Sequence, residues 1–352
     1  MASDSIVAET ATRIFRDLCD PQTVNRAAHD GWKAPAWAAL EEAGLTLAWV
    51  PDQLGGAGAD LADGFAVLRE TGRFAVALPV AETLLAGWQL ARAGISSPRG
   101  AMSCTTRAGR PVSLAANGTI SGHLRAVPFA SAARHLVLLA QRESGDWAVV
   151  LIEMSAARIS AGTSLAGDPL DTVVLDGIRP VAVKDAPHGL HDEAMLMGAT
   201  IRALQMAGAL EAVLAASVAY ANERVAFERP IAKFQAVQHN LARLAGETAV
   251  AMAAAGSAAD AIANAENFDE AVFLEAAAAK IRVGEAAGEG AAIAHQVLGA
   301  IGFTKEHTLH RFTQRLWAWR DDFGNESFWA VRLGNRVAAN GADALWPMLA
   351  AR

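Results

Sequence analysis

From about Glu193 onward, apolar residues recur at helical spacing in long alanine-rich runs, roughly 194–223, 232–264 and 268–298. Breaks fall at Arg229-Pro230 and around Gly299 to Thr304. Runs of that length with so many small residues predict long helices packed at close range in a bundle. Before them, from about Gly94, the pattern shortens. Pro111-Val112-Ser113-Leu114, His135 to Ala140, Trp147 to Ile152 and Asp171 to Leu175 are β-branched and aliphatic runs, separated by Gly118, Gly122, Gly145, Gly167 and Gly177. The N-terminal stretch is helical again. Trp37, Leu40 and Leu45 mark one short helix with Pro35 in its first turn. Asp60 is a candidate N-cap for a second, through Phe65, Leu68 and Arg69 to Gly72. Pro79 precedes a third, carrying Leu84, Leu85, Trp88, Leu90 and Ala91. The pattern therefore predicts an α+β chain: an N-terminal helical domain (1–95), a barrel- or sandwich-like middle β-domain (96–190) and a C-terminal helical bundle (191–352).

That order has no βαβ alternation, which argues against a Rossmann domain. No GxGxxG follows a strand, and Gly55-Gly56-Ala57-Gly58 reads as a loop rather than a phosphate cradle. A Walker-type lysine and a GxSxG elbow are both missing. Nine histidines include no HExxH, so metal chemistry has no strong candidate. Cys19 and Cys104 are the only cysteines, too few for a disulfide framework or a cysteine-based zinc site.

Composition narrows the class further. The 352 residues are 53% hydrophobic and 19% charged, which excludes a disordered chain. A mean hydropathy of +0.21 implies more buried surface than a lone monomer offers. Thirty basic against 37 acidic residues give a net charge of −7, without the basic footprint that nucleic acid or an anionic membrane attracts. Uncharged stretches such as Gly290 to Thr304 fall short of the roughly 18 apolar residues of a membrane span. With no basic-then-apolar leader, a soluble cytoplasmic protein is the expectation.

Three segments break the apolar pattern with polar groups at helix ends. In Glu223 to Gln235, Arg224 ends one helix and Gln235 opens the next after Pro230. Arginine suits bidentate binding of phosphate, and a helix N-terminus favours anions. In Gln296 to His307, Gly299 and Gly302 permit close backbone approach to a ligand or another chain, or serve as a helix C-cap. Arg320-Asp321-Asp322-Phe323-Gly324-Asn325-Glu326 is an acidic turn between helices.

Together, in this order and spacing, these segments resemble the acyl-CoA dehydrogenase family over nearly the whole chain. Val50-Pro51-Asp52-Gln53-Leu54-Gly55-Gly56-Ala57-Gly58 resembles the family's Leu-Pro-Glu-x-x-Gly-Gly-x-Gly turn. Arg224-x-x-Phe227 with Gln235 resembles its Arg-x-x-Phe-Gly…Gln signature, and Gln296-x-x-Gly299-x-x-Gly302-Phe303 its Gln-x-x-Gly-Gly-x-Gly-[Phe/Tyr] signature. Gly302-Phe303-Thr304-Lys305-Glu306-His307-Thr308-Leu309-His310 is similar to the short bacterial members. The resemblance implies a C-terminal four-helix bundle, tetrameric assembly and FAD held between the β-domain and the bundle. Arg224 and Phe227 would meet the FAD pyrophosphate and adenosine side, reaching into a neighbouring subunit; Gln235, Gln296, Gly299 and Ala300 would line the same path. The implied reaction is α,β-dehydrogenation of an acyl-CoA thioester, as in fatty acid or steroid side-chain degradation, with electron-transfer flavoprotein as acceptor.

Several positions depart from the family pattern. Counting forward from Gln296 puts Phe323 where the catalytic glutamate stands, and counting back from Arg224 puts Gly198 at the alternative base position. Asp322 and Glu326 are the nearby carboxylates that would act as a displaced base. Glu228 replaces the glycine after Phe227, and Ala300 the second glycine of its pair. Cys104 to Pro111 does not match the segment that holds the flavin ring, and Ala126 to Ser131 is the nearest match to its flanking strand. The expectation is thus an FAD-dependent acyl-CoA dehydrogenase, homotetrameric or paired with a related subunit. The alternatives are a non-catalytic or half-site subunit of a heterotetramer, and a flavoprotein oxidase or monooxygenase of the same fold.

Overall fold

The computed structural model describes residues 5–105 and 112–350. The segment read against the flavin-ring motif therefore lies mostly outside the described residues. The chain divides into two compact units, Met1–Thr71 with Val76–Met195, and Gly72–Ala75 with Leu196–Arg352.

The first unit begins with α1 (Ile6–Leu18), α2 (Pro21–Arg26), α3 (Lys33–Glu42), α4 (Leu61–Arg73) and α5 (Val80–Arg92). Ser5 caps α1, and its buried face carries Ala11 and Phe15. The glycine-rich break folds back on itself so tightly that a Cβ on Gly56 would lie 2.0 Å from the Val50 carbonyl oxygen. That approach explains why no helix crosses the segment. Helix α5 is buried from Val80 through Leu90. Its Thr83 hydroxyl accepts from the Met102 amide at 3.0 Å, tying the helix to the sheet that follows.

That sheet contains β1 (Met102–Cys104), β2 (Val112–Leu114), β3 (Ile120–Pro128), β4 (His135–Arg142), β5 (Trp147–Glu153), β6 (Arg158–Ser160), β7 (Leu170–Ile178) and β8 (Ala182–Asp185). Their order is β6-β7-β3-β2-β4-β5-β8, with β1 also parallel to β4. Central strands β4 and β5 are buried on both faces, so they read as continuous apolar runs. The core on one face gathers Leu136, Leu138, Val150, Ile152, Val173 and Leu175.

The second unit is mainly helical. After α6 (Leu190–Glu223) come a hairpin of β9 (Val225–Ala226) and β10 (Arg229–Pro230), then α7 (Gln235–Asn264), α8 (Glu270–Leu298), α9 (Leu309–Asp321), α10 (Glu326–Asn340) and α11 (Ala342–Ala350). Helices α7 and α8 run antiparallel, as ion pairs Arg243–Glu289 and Arg282–Glu247 require. Small residues allow the close approach: a Cβ on Gly290 would sit 2.6 Å from Leu210 and 3.2 Å from Leu244. Asp269 caps α8 and Asn325 caps α10.

Helix α6 is long and apolar enough to cross a membrane by length and composition. In its most apolar window 56% of the residues are buried within the protein, so much of that apolarity is used in packing.

Candidate functional site

The residues expected to face the cofactor gather at one end of the bundle. Arg224 follows the last turn of α6, Gln235 opens α7, and Gln296 lies in the last turn of the antiparallel α8. All three are exposed. The β9–β10 hairpin pairs Val225 with Pro230 and Ala226 with Arg229, leaving Phe227 and Glu228 at its tip. Both tip residues are left-handed, with φ of 51° and 65°. Two successive positive φ values define the turn that best matches strand twist, and glycine is the usual occupant. This explains the family's glycine at position 228; here Glu228 takes the strain and adds a negative charge. Phe227 is 89% exposed. The Arg229 guanidinium covers the Phe234 ring at 4.3 Å.

After α8 the chain turns through Gly299, with φ 67° and ψ −144°, a conformation that favours glycine. Among the described residues a Cβ there would meet nothing within 4 Å, so the space they leave over this backbone is open. Ala300 follows, also exposed. An exposed arginine, two glutamine amides, an exposed aromatic ring and an open glycine backbone fit the diphosphate and adenine ends of an FAD.

His295 holds this turn from below. Its ring stacks on Phe303 at 4.1 Å and on Trp317 at 5.7 Å, and its Nε2 lies 3.0 Å from the Thr313 hydroxyl. The Nδ1 atom is buried without a hydrogen-bond partner among the described residues. Burial, helped by the charge of His310, holds the imidazole below its ordinary pKa. Sequence reasoning missed this residue because a lone histidine carries no motif.

The second cluster surrounds the turn between α9 and α10. Phe323 and Gly198, the two positions where counting places the family's base, lie against each other. A Cβ on Gly198 would fall 2.1 Å from the Phe323 Cδ1 atom and 2.4 Å from Cε1 and Cγ. Phe323 has φ 53° and Gly324 φ 89°. A Cβ on Gly324 would also strike the Phe328 ring at 2.4 Å, so both conformation and space call for glycine there.

The carboxylates near this turn are in ion pairs. Arg202 donates from Nε to Asp322 at 3.0 Å and from Nη1 to Gln205 at 2.6 Å, with its guanidinium 5.7 Å from the Phe323 ring. Arg320 donates to Glu326 at 2.7 Å. Burial pushes the Glu326 carboxyl up, but the hydrogen bond and charge of Arg320, with the charge of Lys280, bring it below the usual carboxylate range.

Lys280 is the residue sequence reasoning overlooked here. It lies fully buried on α8 and donates to the carbonyls of Arg320 at 2.6 Å and Gly324 at 2.8 Å. Burial is the main cause that lowers its pKa from 10.5 to about 8, against the opposing charges of Glu326 and Asp322. A lone cation on the buried stripe of an alanine helix was the available signal.

Helical, sheet and long-helix segments in this order define the acyl-CoA dehydrogenase fold. The N-terminal domain model of acyl-CoA dehydrogenases matches residues 2–98, and the C-terminal domain model matches residues 190–320. The chain belongs to the acyl-CoA dehydrogenase family. It is 29% identical over 321 residues to acyl-CoA dehydrogenase IpdE2 of Mycobacterium tuberculosis, covering 88% of this chain and 89% of that one. It resembles a chain of the ChsE4-ChsE5 complex from Mycobacterium tuberculosis with a TM-score of 0.86 at 21% identity, covering 97% of this chain and all of that one. It also resembles the FAD complex of PigA, with a TM-score of 0.81 at 16% identity, covering 95% and 97%.

Proposed function

We propose that this chain is the base-lacking subunit of a heteromeric, FAD-dependent acyl-CoA dehydrogenase. It supplies part of the cofactor surface, and a partner subunit of the same fold supplies the catalytic carboxylate. The observation that carries this reading is the contact of Phe323 with Gly198, an aromatic ring on bare backbone at both expected base positions.

Asp322 and Glu326 are the alternative bases, and their surroundings argue against that use. A general base works best with a pKa near the operating pH. Glu326 is held below the ordinary carboxylate range and hydrogen-bonded to Arg320. Asp322 is directed at Arg202 by a bond of 3.0 Å. Each carboxylate commits one oxygen to a guanidinium, leaving a single oxygen for any proton transfer.

FAD supplies the hydride acceptor when bound. Arg224 would oppose its diphosphate, Phe227 would cover its adenosine side, and Gln235 and Gln296 would donate along the same path. Gly299 and Ala300 leave room for backbone approach, while Glu228 works against the diphosphate charge. A cofactor surface this exposed is completed by a second chain, and the heteromeric ChsE4-ChsE5 neighbour supports that arrangement. Exposed Phe328, Val331, Leu345 and Trp346 on α10 and α11 give such a partner apolar surface to cover. Electron-transfer flavoprotein is the expected acceptor.

Co-expression with a glutamate-bearing subunit of the family tests this reading. The expected product is a complex containing both chains, with ferricenium-coupled turnover of acyl-CoA that the isolated chain lacks. A yellow homotetramer of this chain, turning over by itself, would overturn it.

A further inference from the structure

We propose that the 321–325 turn is a latched aromatic plug: Phe323 fills the space over Gly198, Lys280 holds the turn shut, and the vacated space accepts the acyl end of a thioester. The acyl identity of the ligand rests on the reading above; the plug and its latch rest on geometry alone.

Phe323 carries a bulky side chain at a left-handed φ of 53°, where L residues are disfavoured. It stays there because its neighbours are fixed. Lys280 binds the carbonyls of Arg320 and Gly324 on either side of it. Trp329 Nε1 donates to the carbonyl of Phe323 itself at 2.9 Å. Arg202 holds Asp322, Arg320 holds Glu326, and Asn325 caps α10. A strained residue persists only where its surroundings over-determine it, and such residues cluster at functional sites.

The target of the ring is equally particular. Gly198 sits in a buried stretch of α6 between Met197 and Ala199, with Ala194 and Ile201 buried one turn away on either side. Any side chain at 198 would overlap the ring, so the glycine leaves the recess and Phe323 occupies it. Releasing the ring exposes the Gly198 backbone between apolar Ala194 and Ile201, with the Arg202 guanidinium 5.7 Å from the present ring centroid. An aliphatic chain ending in a polar thioester carbonyl suits such a recess. Lys280 is a positioning residue here, since among the described residues its hydrogen bonds go to the backbone of the turn.

The test is isothermal titration of the full-length chain, as purified, with octanoyl-CoA and with free CoA. Wild type should bind the two alike. Phe323→Gly removes the ring and relieves the left-handed strain; it should bind octanoyl-CoA at least about tenfold more tightly than CoA, a gap of about 1.4 kcal/mol. Lys280→Met should show a smaller gain of the same kind. If Phe323→Gly does not fold, Phe323→Ala and Phe323→Leu carry the test, with the octanoyl preference rising as side-chain volume falls. A folded Phe323→Gly that binds both probes alike overturns the plug, and a Lys280→Met that behaves as wild type overturns the latch. Turnover by the unmodified chain would defeat the base-lacking reading instead, and is read separately by ferricenium reduction.

Discussion

Gly198→Ala probes the contact on which the functional reading stands. The added methyl would lie 2.1 Å from one ring carbon of Phe323 and 2.4 Å from two others. Ordinary carbon contacts are about 3.5–4.0 Å, so either ring or helix must move by more than about 1 Å. Retreat of the ring is hindered, because Lys280 and Trp329 hold the backbone that carries it. Overpacking of this kind costs about 1–3 kcal/mol. Replacing a mid-helix glycine by alanine returns about 1 kcal/mol in propensity. Net destabilisation should therefore reach about 2 kcal/mol in the wild-type background. In a Phe323→Gly background the clash vanishes and the propensity gain remains, so the same substitution should stabilise by about 1 kcal/mol. The sign reverses, and the coupling energy is about 1–3 kcal/mol. Melting temperatures of the four proteins, compared at one concentration, should separate the cases at about 2–4 °C per kcal/mol. A Gly198→Ala that raises the melting temperature equally in both backgrounds would refute the contact.

Three further expectations follow from the same structure. Lys280 releases its proton near pH 8 in the folded chain and at 10.5 in the unfolded one, so between those values the unfolded state binds more protons. Stability should thus rise with pH across that window, by up to about 3 kcal/mol, in urea titrations of wild type relative to Lys280→Met. His295 also has a folded pKa below its ordinary 6.5, so stability should fall as pH drops below that value, more in wild type than in His295→Phe when thermal melts are compared. Glu228→Gly relieves a left-handed φ of 65° and removes a negative charge from the hairpin tip. It should stabilise the hairpin by about 1 kcal/mol and tighten FAD binding measured by flavin fluorescence quenching.

Helix α6 begins within four residues of the start read from periodicity and ends on the same residue, and α8 keeps the same end, because long alanine-rich runs leave little ambiguity. The central strands were equally legible, since burial on both faces makes β4 and β5 continuously apolar. Strand β3 was not. Its solvent-facing positions include His123 and Arg125, and a register irregularity between Leu124 and Val127, where Ala126 has φ 55°, breaks its alternation. Strand β6 is exposed at all three residues and leaves no apolar signature. The residues expected to face a cofactor could be named because spaced glycines, arginine and glutamines form a linear motif. The ionic framework of the 321–325 turn was not. Lys280 meets Arg320 across 40 residues and Arg202 meets Asp322 across 120, and a charge within a helix ordinarily marks its wet face. Counting gave Gly198 and Phe323 as separate positions; only the folded chain brings them into contact.

The central claim is that this chain carries no working base of its own. Anaerobic mixing of the purified, FAD-loaded chain with a panel of acyl-CoAs, followed through the flavin absorbance, tests it most directly. The flavin should stay oxidised with every thioester when the chain is alone and bleach once a glutamate-bearing partner is present. Bleaching by the chain alone, lost in Asp322→Asn or Glu326→Gln, would contradict the account.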